Sequence, residues 1–171
     1  VIRVPWPLCD NGRREHGMTD SAKTIDIQGI MDLLPHRYPI LLVDRVLDYE
    51  SGQWIRGIKN ITMGDPIFQG HFPKQPVFPG VLVVEAMAQC GGCLIMQDFP
   101  DRSKKVIYFM AIDGVKFRRP VVPGDQMVME VKVIQNKGKI CKMRGEAFVD
   151  GQKAAEAEFM SMLIDLPEGQ A

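Results

Sequence analysis

The sequence has little of what marks several large classes of protein. It has no charge excess: Lys and Arg total 21, Asp and Glu total 21, and the formal net charge over 171 residues is zero. A dedicated nucleic-acid binder normally carries a basic surplus, so this balance argues against one. No apolar run is long enough to cross a bilayer. The longest, Val81 to Met96, falls short of the roughly 20 residues required and is interrupted by Glu85. The four cysteines, Cys9, Cys90, Cys93 and Cys141, lack the dense spacing of a disulfide framework and read as free thiols in a reducing cytoplasm. The first twenty residues have no apolar centre of the kind a secretory signal needs. Internal repeats and low-complexity linkers are absent. Histidine is scarce, with three in the chain.

What is present fits one domain with a sizeable core: 46% of residues are hydrophobic and 25% charged. "VIRVPWPLCDNGRREHG" shows neither helical nor strand periodicity. Residues 1–20 are therefore expected to be a loosely tied extension, with Met18 a candidate natural start, and residues 21–171 a single domain. Asp26 is placed to cap a short helix whose apolar residues are Ile27, Ile30, Met31 and Leu34, with Pro35 ending it. "ILLVDRVLDYE" and "WIRGIKNIT" read as paired strands about Ser51-Gly52. Val81 to about Gln97 reads as a helix that is apolar on all sides and must be covered by neighbours. "KVIYFMAI" follows as a strand. "MVMEVKVI", "ICKMRGEAFV" and "KAAEAEFMSMLID" then read as a meander, with Asp150-Gly151 a strong hairpin signal. One long helix and about six strands predict an α+β fold, an antiparallel sheet curled round the helix.

Two residues stand out against that background. His71 lies in "QGHFPKQPVFPG", a loop stiffened by Pro73, Pro76 and Pro79. Glu85 lies inside the apolar helix, where a carboxylate is costly unless it is paired or used. Gly80 stands at the helix entry, where unpaired backbone N–H groups can polarise a carbonyl. Gln89 follows Glu85 by one helical turn and shares its face. A base on a rigid loop, an N–H donor and an acid form a kit for removing a proton next to a carbonyl and expelling a hydroxyl from the next carbon. That chemistry requires no metal and no organic cofactor.

The stretches "LPHRYPILLVDRV", "FQGHFPKQPVFPGVLVVEAMAQ" and "YFMAIDGVKFRRPVVPGDQM" closely resemble the 3-hydroxyacyl-(acyl-carrier-protein) dehydratases of the FabZ type, over about Ile27 to Ile164. The resemblance implies a hotdog fold, a homodimer that often assembles as a trimer of dimers, and dehydration of 3-hydroxyacyl to trans-2-enoyl groups on acyl carrier protein in type II fatty acid synthesis. It assigns catalysis to His71 of one subunit and Glu85 of the other. It matches Gly80 to the backbone donor for the thioester carbonyl and Val77 to the backbone carbonyl that orients the histidine. It places Tyr108 at the gate of an acyl tunnel to which Phe78 and Gln89 also belong. It casts Lys116, Arg118 and Arg119 as a basic rim for an acidic carrier protein, with Lys104 and Lys105 a second candidate. The chain departs from the usual pattern at Lys74-Gln75 and at Phe78. The related dehydratase–isomerases carry aspartate at the acid position, so Glu85 favours simple dehydration.

Other features have plainer readings. Cys90-Gly91-Gly92-Cys93 falls inside a helix rather than at its start and reads as close packing, not as a redox or metal pair. His36 and Arg37 match the resembled family without a chemical role; a structural or entrance role suits them better than catalysis. Rival functions are an acyl thioesterase, which would release free thiol and not need His71, a non-catalytic acyl-binding module, and a hydratase acting on coenzyme A esters.

Overall fold

The computed structural model describes residues 23–167. The expected N-terminal extension, together with Cys9 and His16, lies outside them. The first helix, α1, spans Ile27–Leu33, and the Asp26 carboxylate accepts a hydrogen bond from the Gly29 N–H at 3.0 Å. It stops where Leu34 turns extended, as a residue before proline must. Its inner face is Ile30, Leu33 and Leu34; Ile27, expected inside, is exposed.

Among the described residues six strands follow: β1 Arg45–Glu50, β2 Trp54–Asn60, β3 Lys105–Phe117, β4 Gln126–Lys137, β5 Ile140–Val149 and β6 Gln152–Asp165. They form one sheet in the order β1-β2-β4-β5-β6-β3, with every neighbouring pair antiparallel. Asp150 and Gly151 both take positive φ at the β5–β6 turn, the geometry of the hairpin the dipeptide predicts. Two strands differ most from the sequence reading. β1 begins at Arg45 rather than Ile40, because the Leu42 N–H and the Ile40 carbonyl are bonded to the Gln89 side chain instead of to a strand. β3 runs on past Ile112 to Phe117, with ladder shifts between Phe109 and Ala111 and between Asp113 and Lys116. The second bulge takes up Gly114, whose φ is positive, and Val115.

The long helix, α2, spans Gly80–Met96 and has no side-chain N-cap. Burial holds it instead: Val83, Val84, Ala86, Met87, Leu94 and Met96 are all at most 5% exposed. Removing each large aliphatic side chain from water contributes about 1.5–3 kcal/mol. The sheet reaches the helix closely because glycines stand at the contacts. A Cβ on Gly91 would lie 2.7 Å from Met143 Sδ, and one on Gly57 2.9 Å from Cys90 Sγ. Burial pushes the Cys93 thiol up to about 12 and raises Cys90 well above its usual value, so neither is a nucleophile at neutral pH. The Cys-Gly-Gly-Cys segment is a packing element. Among the described residues no cluster of three His, Cys, Asp or Glu is arranged to hold a metal ion, and no helix is long and apolar enough to cross a membrane.

Gly145 of β5 tests this fit. A Cβ there would meet Met87 Cβ at 3.1 Å and Phe159 Cε1 at 3.1 Å. Gly145→Val is expected to lower unfolding free energy by about 1–3 kcal/mol through overpacking, read from the urea midpoint. An unchanged midpoint would mean that helix and sheet are less closely fitted than these distances require.

Candidate active site

The His71 loop is built from backbone bonds. His71 N–H donates to the Ile67 carbonyl at 3.0 Å, Val77 N–H donates to the His71 carbonyl at 3.1 Å, and Gln75 N–H donates to Phe72 at 3.0 Å. The Phe72 ring stacks on the imidazole at 4.0 Å between centroids. His71 Nδ1 lies 2.7 Å from the Val77 carbonyl oxygen. A carbonyl can only accept, so Nδ1 carries the proton and Nε2 presents its lone pair. The ring is therefore held in the tautomer of a base.

Gly80 opens α2 beside this loop. A Cβ there would lie 2.7 Å from the Phe117 ring, so glycine lets the aromatic side chain lie over the helix entrance. Val77, Phe78, Gly80, Phe117, Arg118 and Arg119 surround His71 in one cavity. Phe78 is 3% exposed, packs against Phe68 at 6.3 Å and donates its N–H to the Val121 carbonyl at 2.7 Å. It forms the inner wall of that cavity.

Glu85 faces elsewhere. Five residues past Gly80, it points roughly 140° away around the helix. It lines a second cavity with His36, Gln89, Gly92, Ile107 and Phe109. Within one chain, His71 and Glu85 do not share a cavity. Gln89 is buried, and its amide is oriented by the backbone: Oε1 accepts from Leu42 N–H at 2.8 Å, so Nε2 donates to the Ile40 carbonyl at 2.7 Å and to Glu85 Oε1 at 2.9 Å. With Oε1 accepting, a proton on the Glu85 carboxyl belongs on Oε2.

Sequence reasoning assigns His36 no chemical role, yet its Nε2 lies 3.5 Å from Glu85 Oε1. Burial is the larger influence on this imidazole and lowers its pKa, although the Glu85 carboxylate pulls the other way. Arg37 sets its position by donating to the carbonyls of Leu34 at 2.8 Å and His36 at 2.7 Å. A histidine held between a helix end and a proline-rich turn was the available signal.

Tyr108 lies on β3 between Ile107 and Phe109, which line the Glu85 cavity, and its own side chain is 54% exposed. Arg118 and Arg119 border the His71 cavity; Lys116 is exposed nearby. Arg118 is also anchored. It pairs with Glu156, which is 6% exposed and also contacts Lys153 at 3.3 Å and Arg144 at 3.1 Å. Lys105, the other basic candidate, is engaged by Asp101 and Asp165.

Comparison with known proteins agrees with this architecture. The chain superposes on the dehydratase heterocomplex ApeI:P from Xenorhabdus doucetiae with a TM-score of 0.66 at 16% identity, covering 82% of this chain and 91% of that one. A hot-dog-like protein from Thermanaerovibrio acidaminovorans matches with a TM-score of 0.56 at 16% identity, over 68% of this chain and 84% of its own. The fold is a hotdog. The model of the FabA-like domain matches residues 34–158. The 3-hydroxyacyl-(acyl-carrier-protein) dehydratase FabZ of Pasteurella multocida is 52% identical over 142 residues, 83% of this chain and 93% of that protein. That of Anaeromyxobacter dehalogenans is 52% identical over 153 residues, 86% of this chain and 98% of its own. The chain belongs to the FabA-like family of hotdog proteins, among the FabZ-type dehydratases.

The Glu156 cluster makes a pH prediction. Hydrogen bonds from Arg118 and then Lys153 hold its carboxyl at about 2, against an ordinary 4.5. A lowered folded-state value stabilises above the unfolded pKa, and that stabilisation is lost as pH falls through the folded one. The melting-temperature gap between the native protein and Glu156→Gln should be full above about pH 4.5 and close towards about pH 2. A gap that is constant with pH would show that the carboxylate's charge is not what stabilises.

Proposed function

We propose that this protein removes water from 3-hydroxyacyl groups carried as thioesters on acyl carrier protein, giving the trans-2-enoyl thioester in type II fatty acid synthesis. The observation that carries the reading is the His71–Val77 hydrogen bond, which leaves Nε2 bare in a cavity next to the start of α2. His71 Nε2 takes the proton from the carbon next to the thioester. The Gly80 N–H supports the negative charge that develops on the thioester oxygen. A protonated Glu85 then delivers its proton from Oε2 to the departing hydroxyl, which leaves as water. The carbon–hydrogen and carbon–oxygen bonds break as the double bond forms, and no electrons are exchanged.

His71 and Glu85 lie in different cavities of one chain, so the reading requires Glu85 of the partner subunit to complete each site. β3 supplies a reason for two subunits to meet. Among the described residues it hydrogen-bonds to β6 alone and its other edge is open, and Tyr108, Met110, Ile112, Val115 and Phe117 are all exposed along it. A long apolar edge of this kind calls for cover. Pairing two such edges brings the residues beside Phe117 of one subunit towards those beside Phe109 of the other. Tyr108 then stands where the cavities join and can gate the acyl tunnel. Phe78 walls the tunnel on the histidine side, and Gln89 holds the acid. Lys116, Arg118 and Arg119 form the basic rim that steers the acidic carrier protein. A trimer of such dimers and a cytoplasmic location accompany the reading.

A 3-hydroxyacyl carrier-protein thioester assay tests it. His71→Ala and Glu85→Gln are each expected to reduce enoyl formation by about 10²–10⁴-fold. Free thiol in place of enoyl product would point to a thioesterase. Co-expressing the two inactive variants tests the shared site. A dimer with one of each retains one intact pair, so random pairing should restore about a quarter of native activity. No recovery in verified mixed dimers would mean that each chain supplies its own acid and base.

A further inference from the structure

The cavity that holds Glu85 follows α2 inward. Glu85, Ala88, Gly92 and Met96 recur at helical spacing on one face and all line it. Those eleven residues of rise place Met96 roughly 16 Å beyond the acid. The opposite wall comes from β3 and β6, through Ile107, Phe109 and Ser161. Another cavity begins behind that wall, and Ile107 and Ser161 line both. The rear cavity is bounded by Ile95, Phe99 and Leu163 and reaches the surface between the exposed Asp98 and Lys139. Two side chains thus divide an apolar space that would otherwise continue from the acid to the far side of the molecule.

Gly92 sets the width in front of this partition. A Cβ there would sit 3.2 Å from Leu34 Cδ2 and 3.6 Å from Ile107 Cδ1. Its absence is what keeps the space between helix and strand open. Ile107 is fixed on its strand, opposite Leu163 of β6, and its β-branched side chain has restricted rotamers. Ser161 is 4% exposed and presents a hydroxyl that a methylene chain cannot satisfy. The front of the cavity therefore rewards an alkyl chain, and the partition opposes one on both steric and polar grounds.

We infer that Gly92, Ile107 and Ser161 form the stop for the distal end of the acyl chain and set the longest 3-hydroxyacyl group the site accepts. This rests on the dehydratase reading above, in which the alkyl tail runs into the Glu85 cavity. Each methylene that fits gains about fourfold in affinity, and the first that meets the stop gains nothing.

The test uses a homologous series of 3-hydroxyacyl pantetheine thioesters from short to long. Both kcat/KM and calorimetric affinity are measured for the native protein, Ile107→Val, Ile107→Ala and Gly92→Ala. Opening the partition at Ile107 should raise the ratio of long-chain to short-chain kcat/KM, by about fourfold per additional methylene accommodated. Ile107→Val, the milder change, should move the limit in the same direction by less. Gly92→Ala should move it to shorter chains. Opposite shifts at the two positions would support the stop. Dehydration with an unmoved limit, or with equal losses at every length, would overturn it and leave the dehydratase standing. Absence of dehydration at every length would instead remove the proposed function. The affinity profile then judges the stop alone: a break that moves with Ile107 and Gly92 supports it, and one that stays fixed overturns it.

Discussion

The Gln89 amide is the constraint on which the site depends. It is buried in the middle of α2, where a polar group without partners would cost several kcal/mol. Leu42, Ile40 and Glu85 supply those partners. The same bonds delay the start of β1, tie the segment after the cis Tyr38-Pro39 bond to the helix, and direct one oxygen of the acid. An apolar residue there would leave a backbone N–H and a carbonyl unpaired and would release Glu85. One side chain thereby couples the packing of the core to the orientation of the carboxyl.

His71 and Glu85 are held by different means. The histidine is fixed almost wholly by backbone, through the Val77 carbonyl and the short loop bonds around it. The glutamate is fixed by side chains: Gln89 at hydrogen-bond distance and His36 a little further off. Backbone placement tolerates change in the surrounding side chains, which fits the presence of Lys74 and Gln75 in the loop. Side-chain placement does not, since its partners must themselves be buried and satisfied. The imidazole is thus anchored to a scaffold, and the carboxyl to a network.

Much of this was legible in the sequence. The all-round apolar character of Val81 to Gln97 identified a helix that the sheet must enclose, and Asp150-Gly151 identified the turn that joins β5 to β6. His71, Gly80 and Glu85 stood out because each residue type is unexpected where it falls. The rest depended on contacts distant in sequence. The start of β1 is set by Gln89, 47 residues from Leu42. The length of β3 depends on bulges that pairing with β6 stabilises. His36 meets Glu85 only after α1 has packed against α2, so its place between a helix end and a proline-rich turn marked the residue without naming its partner. Arg118 reads as a free surface cation until β6 brings Glu156 beneath it.

β3 carries two tasks on alternate residues. Ile107 and Phe109 face the apolar cavity, while Tyr108 and Met110 face outward. Because the strand repeats every two residues, inserting or deleting a single one before this segment would exchange the two sets at once. Point substitutions can adjust either face separately, but the spacing cannot drift. Divergence among such proteins should therefore record itself in this strand as changed letters within an invariant length.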